Sequence, residues 1–142
     1  MTFRNEIRSL LKQKNLFKDE INVLSSRGCN VKFCPDEALK DYEKDTENGI
    51  PSYSCEYTVL YAYKEIQKEN EVLDIHIELI LTAPECNRYW DAHIISSVPD
   101  RISGSSYFLS SSLIGHLRSL SLESLLRELD EFLKEDEPCA ES

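Results

Sequence analysis

Apolar side chains along this chain repeat with two different periods, and the changes of period divide it into zones. Phe3, Ile7, Leu10, Phe17, Ile21 and Leu24 recur at helical spacing, with Leu11 widening the stripe. Arg4, Glu6, Arg8, Lys12, Lys18 and Glu20 take much of the remaining surface, which predicts an amphipathic helix. Lys14 and Asn15 interrupt the stripe, so the helix is one long piece or two short ones. Thr2 is a candidate cap at its start, and Gly28 supplies the left-handed residue that commonly ends a helix.

Period two begins at residue 29. Cys-Asn-Val-Lys-Phe-Cys over 29–34 reads as a short strand. Residues 35–51 then carry six acidic side chains and two lysines. Pro35 followed by Asp36 and Glu37 is a good helix start, because proline lacks only an unneeded donor and the acids face the positive end of the dipole. A helical turn or two inside a mobile acidic connection is expected, closed by a turn at Asn48-Gly49.

The most regular alternation follows. Tyr53, Cys55, Tyr57, Val59, Tyr61 and Tyr63 alternate against Glu56, Thr58, Leu60, Ala62 and Lys64, then come Leu73, Ile75, Ile77, Leu79 and Leu81, then Trp90, Ala92, Ile94, Ser96 and Val98. Gln67 to Asn70 and Pro84 to Asn87 supply the turns. β-Branched and aromatic residues at period two predict three antiparallel strands. Setting the tyrosines, aliphatics and Trp90 on one side gives a continuous core face and keeps Lys64 and Asp74 out of it. With Ala83 opposite Arg88, Glu78 falls opposite His93 and Ile80 opposite Asp91, with His76 diagonal to His93.

Pro99 is expected to end the sheet, and residues 100–106 form a polar Gly/Ser loop without the glycine–lysine pattern of a phosphate loop. Leu109, Leu113, Ile114 and Leu117 suggest a short helix, on which His116 reads as a packing residue. Ser121 caps a second helix with the stripe Leu122, Leu125, Leu126, Leu129, Phe132 and Leu133. The expected fold is therefore α+β: an N-terminal helix, a four-stranded antiparallel β-meander and C-terminal helices packed on one sheet face. Residues 1–134 form a single domain and 135–142 an acidic frayed tail. That element order resembles RWD-type and ubiquitin-conjugating-like modules, and the resemblance implies a protein-binding platform.

With 142 residues, 41% of them hydrophobic, the chain is long enough to bury a core without disulfide or metal staples. Its 26 acidic and 16 basic residues give a formal charge of −10. That balance argues against nucleic acid and anionic membranes as partners, since both are bound through Lys and Arg. A basic partner protein or a cation fits the sign. Five cysteines, with no CxxC pair and no secretory leader in the sequence, point to free thiols in a reducing cytoplasmic compartment.

Two constellations could hold a metal. His76, Glu78, Asp91 and His93 share the outward face of the predicted sheet, and imidazole with carboxylate suits zinc or a similar transition ion. Asp36, Asp41, Glu43, Asp45 and Glu47 offer hard oxygens to calcium, although Thr46 and Ser52 stand where an EF-hand requires glycine and glutamate. No cysteine has the basic surroundings that activate a thiol, and no nucleophile–base pair is evident. Leu60, Ile80, Tyr89 and Ile95 form an apolar patch on the otherwise polar outer face, a candidate docking surface. The first functional expectation is a non-catalytic interaction module of inhibitor, immunity or chaperone-like type, binding a basic or apolar partner, with a homodimer as one version. A metal-binding protein is the second, and no cofactor other than calcium is expected.

Overall fold

The computed structural model describes residues 17–50, 55–82, 87–99 and 109–136, together with Asn5, Arg8 and Ser9. In chain order these form helix α1 (Lys18–Ser26), strand β1 (Asn30–Phe33), helix α2 (Pro35–Glu47), strands β2 (Glu56–Gln67), β3 (Val72–Thr82), β4 (Arg88–Pro99) and β5 (Leu109–Ser119), and helix α3 (Leu122–Asp136). All strand pairs are antiparallel, and the spatial order β1-β2-β3-β4-β5 follows the chain. The α+β class and the meander agree with the sequence reading. The strand count does not, because the stretch expected as a short helix over 109–117 is the fifth strand. Among the described residues no helix is long and apolar enough to cross a membrane.

Local signals set the helix ends. Gly28, at φ 88°, follows α1: its amide donates to the Ser25 carbonyl and the Cys29 amide to the Leu24 carbonyl, closing the last turn. Gly49, at φ 73°, repeats the device after α2, with Gly49 N–H to Thr46 and Ile50 N–H to Asp45. Ser121 caps α3 by accepting the Ser124 amide at 3.2 Å. Pro35 opens α2, which runs 13 residues. The acidic connection is thus a full helix rather than a turn or two, because Ala38, Leu39 and Tyr42, at helical spacing after the buried Pro35, have apolar surface to place on the core. Thr2, the 100–106 loop, most of the 1–16 stripe and residues 137–142 lie outside the described residues.

The core lies between one sheet face and the helices. Leu24 of α1, Ala38 of α2 and Leu122, Leu125, Leu126 and Leu129 of α3 meet Leu73, Ile75, Ile77, Leu79 and Leu81 of β3 and Trp90, Ala92 and Ile94 of β4. The inward set on β3 and on β4 up to Ile94 is the one the alternation predicts, whereas Val98, expected in the core, is 40% exposed near the end of β4.

Two β-bulges reset the alternation elsewhere. In β2, Thr58 pairs with Ile80 and Leu60 with Leu79, so Val59 is the extra residue and both Val59 and Leu60 are buried. Beyond it the faces exchange. Tyr61 and Tyr63, expected in the core, stand on the outer face, whereas Leu60, expected there, is fully buried among core residues. Lys64 turns toward the helices, and its ammonium is not stranded: Nζ donates to the Arg27 carbonyl at the end of α1, 2.6 Å away. In β5 the extra residue is Ile114, since Ile94 pairs with Gly115 but Ile95 with Leu113. The β3–β4 register also differs by two residues from the expected one: Leu81, not Ala83, faces Arg88, so His76 faces His93 and Glu78 faces Asp91.

Candidate functional site

Three strands place titratable groups on the outer sheet face. Residues two apart on a strand share a face, so Asp74, His76 and Glu78 of β3 line up with Asp91 and His93 of β4. The β5 strand adds His116 opposite His93 and Arg118 opposite Asp91. This array divides into two clusters of different chemistry.

The first is centred on Asp91, which is 1% exposed. Its Oδ1 accepts from His116 Nε2 at 2.7 Å and from Arg118 Nε at 3.2 Å, while Oδ2 lies 3.2 Å from His93 Nδ1. The two imidazoles stack, with centroids 4.3 Å apart. The Arg118 guanidinium also covers the ring of Tyr89, 4.2 Å from its centroid, so one arginine neutralises the aspartate and seals the tyrosine beside it. Burial, followed by the Glu56 carboxylate, pushes the Tyr89 phenol above its ordinary value. Among the described residues, Asp91, His93 and His116 are the one group whose donor atoms all lie within 4.8 Å of one another.

The second cluster joins β3 to β2. Tyr63 donates to Asp74 at 2.6 Å, and the Tyr61 hydroxyl meets His76 Nδ1. Either group can be the donor in that contact, since phenol and imidazole both donate and accept. The bond to Asp74 pushes the Tyr63 phenol up to about 12. Burial first, and Glu78 and Asp74 after it, raise the Tyr61 phenol. Glu78 accepts from the Thr58 hydroxyl at 3.3 Å. The four residues proposed from the sequence as one transition-metal set are therefore split. His76 and Glu78 turn toward β2, whereas Asp91 and His93 turn toward β5. His116 was the missed member, because its strand reads as a helix. Gly115 inside that segment and the serines at 110–112 were the available signs against a helix.

Where α2 meets the outer sheet face there is a cleft of about 350 Å³. Glu37 and Asp41 of α2, Glu56 of β2 and Glu78 of β3 surround it, with Tyr61 as one wall and Lys32 at the rim. Lys32 donates to Glu37 at 2.7 Å, and that hydrogen bond raises the lysine pKa. Glu56 also lies within electrostatic reach of the Arg118 guanidinium.

The calcium candidates Asp36, Asp41, Glu43, Asp45 and Glu47 lie along α2. A helix uses its carbonyls internally, so the backbone oxygens that a calcium loop offers are already bonded there. Asp45 accepts from the Tyr57 hydroxyl at 2.7 Å, and these five carboxylates do not form a group of metal-ligand geometry among the described residues. Of the apolar patch, Leu60 is in the core, Ile80 and Tyr89 are 5% and 9% exposed, and Ile95 is half-buried. The patch thus presents little apolar surface to a partner. Cys29, Cys34 and Cys55 form no disulfide, and burial pushes the thiols of Cys29 and Cys34 up.

The chain matches no family model, no curated protein and no solved structure.

Proposed function

We propose that this chain is a non-catalytic interaction domain that captures a basic partner protein, seating a lysine or arginine side chain in the cleft between α2 and the β2–β3 ladder. The observation that supports this reading is the charge imbalance of the cleft. Four carboxylates converge on it, and its single cation, Lys32, is already tied to Glu37. A guanidinium entering the cleft would offset the mutual repulsion of Asp41, Glu56 and Glu78 and lie against the ring of Tyr61. The larger groove between α1 and α3, about 710 Å³, is a poorer cation site. Its Asp130 already pairs with Arg27 and its Glu123 with Arg127.

The formal charge of −10 favours the same partner, because it accelerates encounter with a basic surface and disfavours a second copy of the chain. The raised thiols of Cys29 and Cys34 fit a role without covalent catalysis. Cysteines that form no disulfide fit a reducing, cytoplasmic setting.

The test is a two-dimensional NMR titration of the isotope-labelled chain with short arginine-containing peptides and their citrulline counterparts. Arginine should shift the amides around Glu37, Thr58, Tyr61 and Glu78, citrulline should not, and Glu56→Gln/Glu78→Gln should remove the response. Shifts scattered over the surface, or a response that survives the double substitution, would refute the reading. Light scattering at low and high salt separates the alternative: salt-promoted dimerisation would favour self-association over a foreign partner.

A further inference from the structure

The outer face carries a donor set distinct from the cleft. We propose that Asp91, His93 and His116 bind one late first-row divalent metal ion, zinc above all, as a two-histidine, one-carboxylate site open to solvent. This goes beyond the interaction reading and stands apart from it, since none of the three residues lines the acidic cleft.

Four observations carry the proposal. The spacing comes first. A tetrahedral ion bonded at about 2.0–2.2 Å needs its donor atoms roughly 3.4 Å apart. The imidazole–carboxylate separations of 2.7 and 3.2 Å are already close to that, and all three donors lie within 4.8 Å. An ion would replace the hydrogen bonds that now link each imidazole to Asp91, and the widest gap would close by at most about 1.4 Å, within reach of side-chain torsions.

The scaffold comes second. Asp91 and His93 are two residues apart on β4, and His116 is directly opposite His93 on β5. All three backbones are held in ladders, so the donors converge without the ordering cost a loop would carry. Third, the carboxylate is oriented from outside: Arg118 Nε holds Asp91 Oδ1 while its guanidinium rests over Tyr89. Such a partner to a ligating carboxylate is the usual outer support of a metal site. Fourth, access is asymmetric. The Asp91 side chain is 2% exposed, but those of His93 and His116 are 35% and 44% exposed, so an ion can enter from the histidine side and keep a water there.

The donor chemistry selects the ion. Two imidazoles and one carboxylate suit zinc and its late first-row neighbours, whereas calcium and magnesium require mainly oxygen ligands. Three protein ligands are one short of the four of a closed structural zinc site, which leaves an open position for water. His76 lies in register with His93 but is not a member of the set, because the donor atoms that converge within 4.8 Å are those of Asp91, His93 and His116.

The test uses the reduced full chain, titrated with Zn²⁺ by calorimetry and with Co²⁺ by visible absorption. One ion per chain should bind in the micromolar range or tighter, and bound Co²⁺ should show d–d bands without thiolate-to-metal charge transfer. Arg118→Gln should weaken binding by about 10-fold and His93→Gln or His116→Gln by about 100-fold or more. His76→Gln should leave it unchanged. Far-ultraviolet circular dichroism separates a lost ligand from a lost fold. Should a variant fail to fold, imidazole ¹⁵N shifts of the unmodified protein serve instead, with His93 and His116 moving on Zn²⁺ addition and His76 not. No binding, thiolate bands from the cysteines, or binding that survives loss of both His93 and His116 would overturn the proposal. The arginine-peptide titration is unaffected by any of these outcomes, so the two readings fail separately.

Discussion

The imidazoles of His93 and His116 lie nearly parallel across the β4–β5 ladder, 4.3 Å between centroids and 18° between planes. The stack is a consequence of register, because directly opposed residues on one sheet face bring their side chains into contact. Each ring also directs a nitrogen at Asp91, and Arg118 reaches the same carboxylate from the next outward position. One buried acid thus ties the edge strand β5 to the rest of the sheet.

Asp91→Ala should therefore lower stability by about 1–3 kcal/mol, measured by urea denaturation. The loss stays in that range rather than reaching that of a fully enclosed ion pair. His93, His116 and Arg118 are each a third or more exposed, so their polar groups return to water instead of remaining buried without a partner. Unchanged stability would show that packing alone holds β5 in place.

Gly115 is required by a close approach rather than by its backbone conformation. A Cβ at this position would stand 2.8 Å from Phe132 Cζ and 3.0 Å from Ile94 Cδ1, so the Phe132 ring or the Ile94 side chain would have to shift. Gly115→Ala should cost about 1–3 kcal/mol through overpacking. Combining it with Phe132→Leu, which opens space at the same point, should cost less than the sum of the two single changes. Additive losses would mean that Phe132 does not set the fit.

The strands were legible where a single rule governs them. On β3, and on β4 up to Ile94, one face is buried, so Ile75, Ile77, Leu79, Trp90 and Ile94 alternate inward and Asp74, His76 and Glu78 outward without interruption. A bulge breaks that rule and leaves no mark of its own, because the extra residue is defined by the partner strand. Val59 is as good a strand former as its neighbours, yet its insertion sends Tyr61 and Tyr63 outward and Lys64 inward. Ile114 does the same in β5: one extra residue converts a period of two into apolar spacings of three and four, which imitate a helix. His116 was consequently removed from the sheet and from the site. The interstrand register depended on the turn after Thr82, and a two-residue difference there preserves the faces while changing every opposing pair.

The face assignment of β3 yields a paired prediction. Leu79 is 1% exposed and packs in the core, while Glu78, its neighbour, stands on the outer face with one hydrogen bond from Thr58. Leu79→Ala should cost about 2–5 kcal/mol. Glu78→Ala should change stability by no more than about 0.5 kcal/mol. Chemical denaturation of both variants checks the contrast, and equal losses would contradict the placement of β3.

The Tyr63–Asp74 pair predicts how stability depends on alkaline pH. The hydrogen bond from the phenol to the Asp74 carboxylate needs the neutral phenol, so it pushes the folded-state pKa up to about 12 from the ordinary 10.0. A group whose folded pKa is raised contributes stability that is fully present below its unfolded pKa and is lost as pH rises through the folded one. The contribution of Tyr63 should therefore be constant below about pH 10 and should disappear as pH rises through about 12. Tyr63→Phe lacks the phenolic proton and the bond it makes. The gap in unfolding free energy between the unmodified chain and this variant should hold steady up to about pH 10 and then narrow. Asp74→Asn, which removes the carboxylate but keeps the phenol, should let Tyr63 ionise nearer its ordinary value, seen as phenolate absorbance appearing at lower pH. A gap between the unmodified chain and Tyr63→Phe that stays constant through pH 12, or a phenolate transition that Asp74→Asn does not move, would show that the hydrogen bond exerts no hold on the proton.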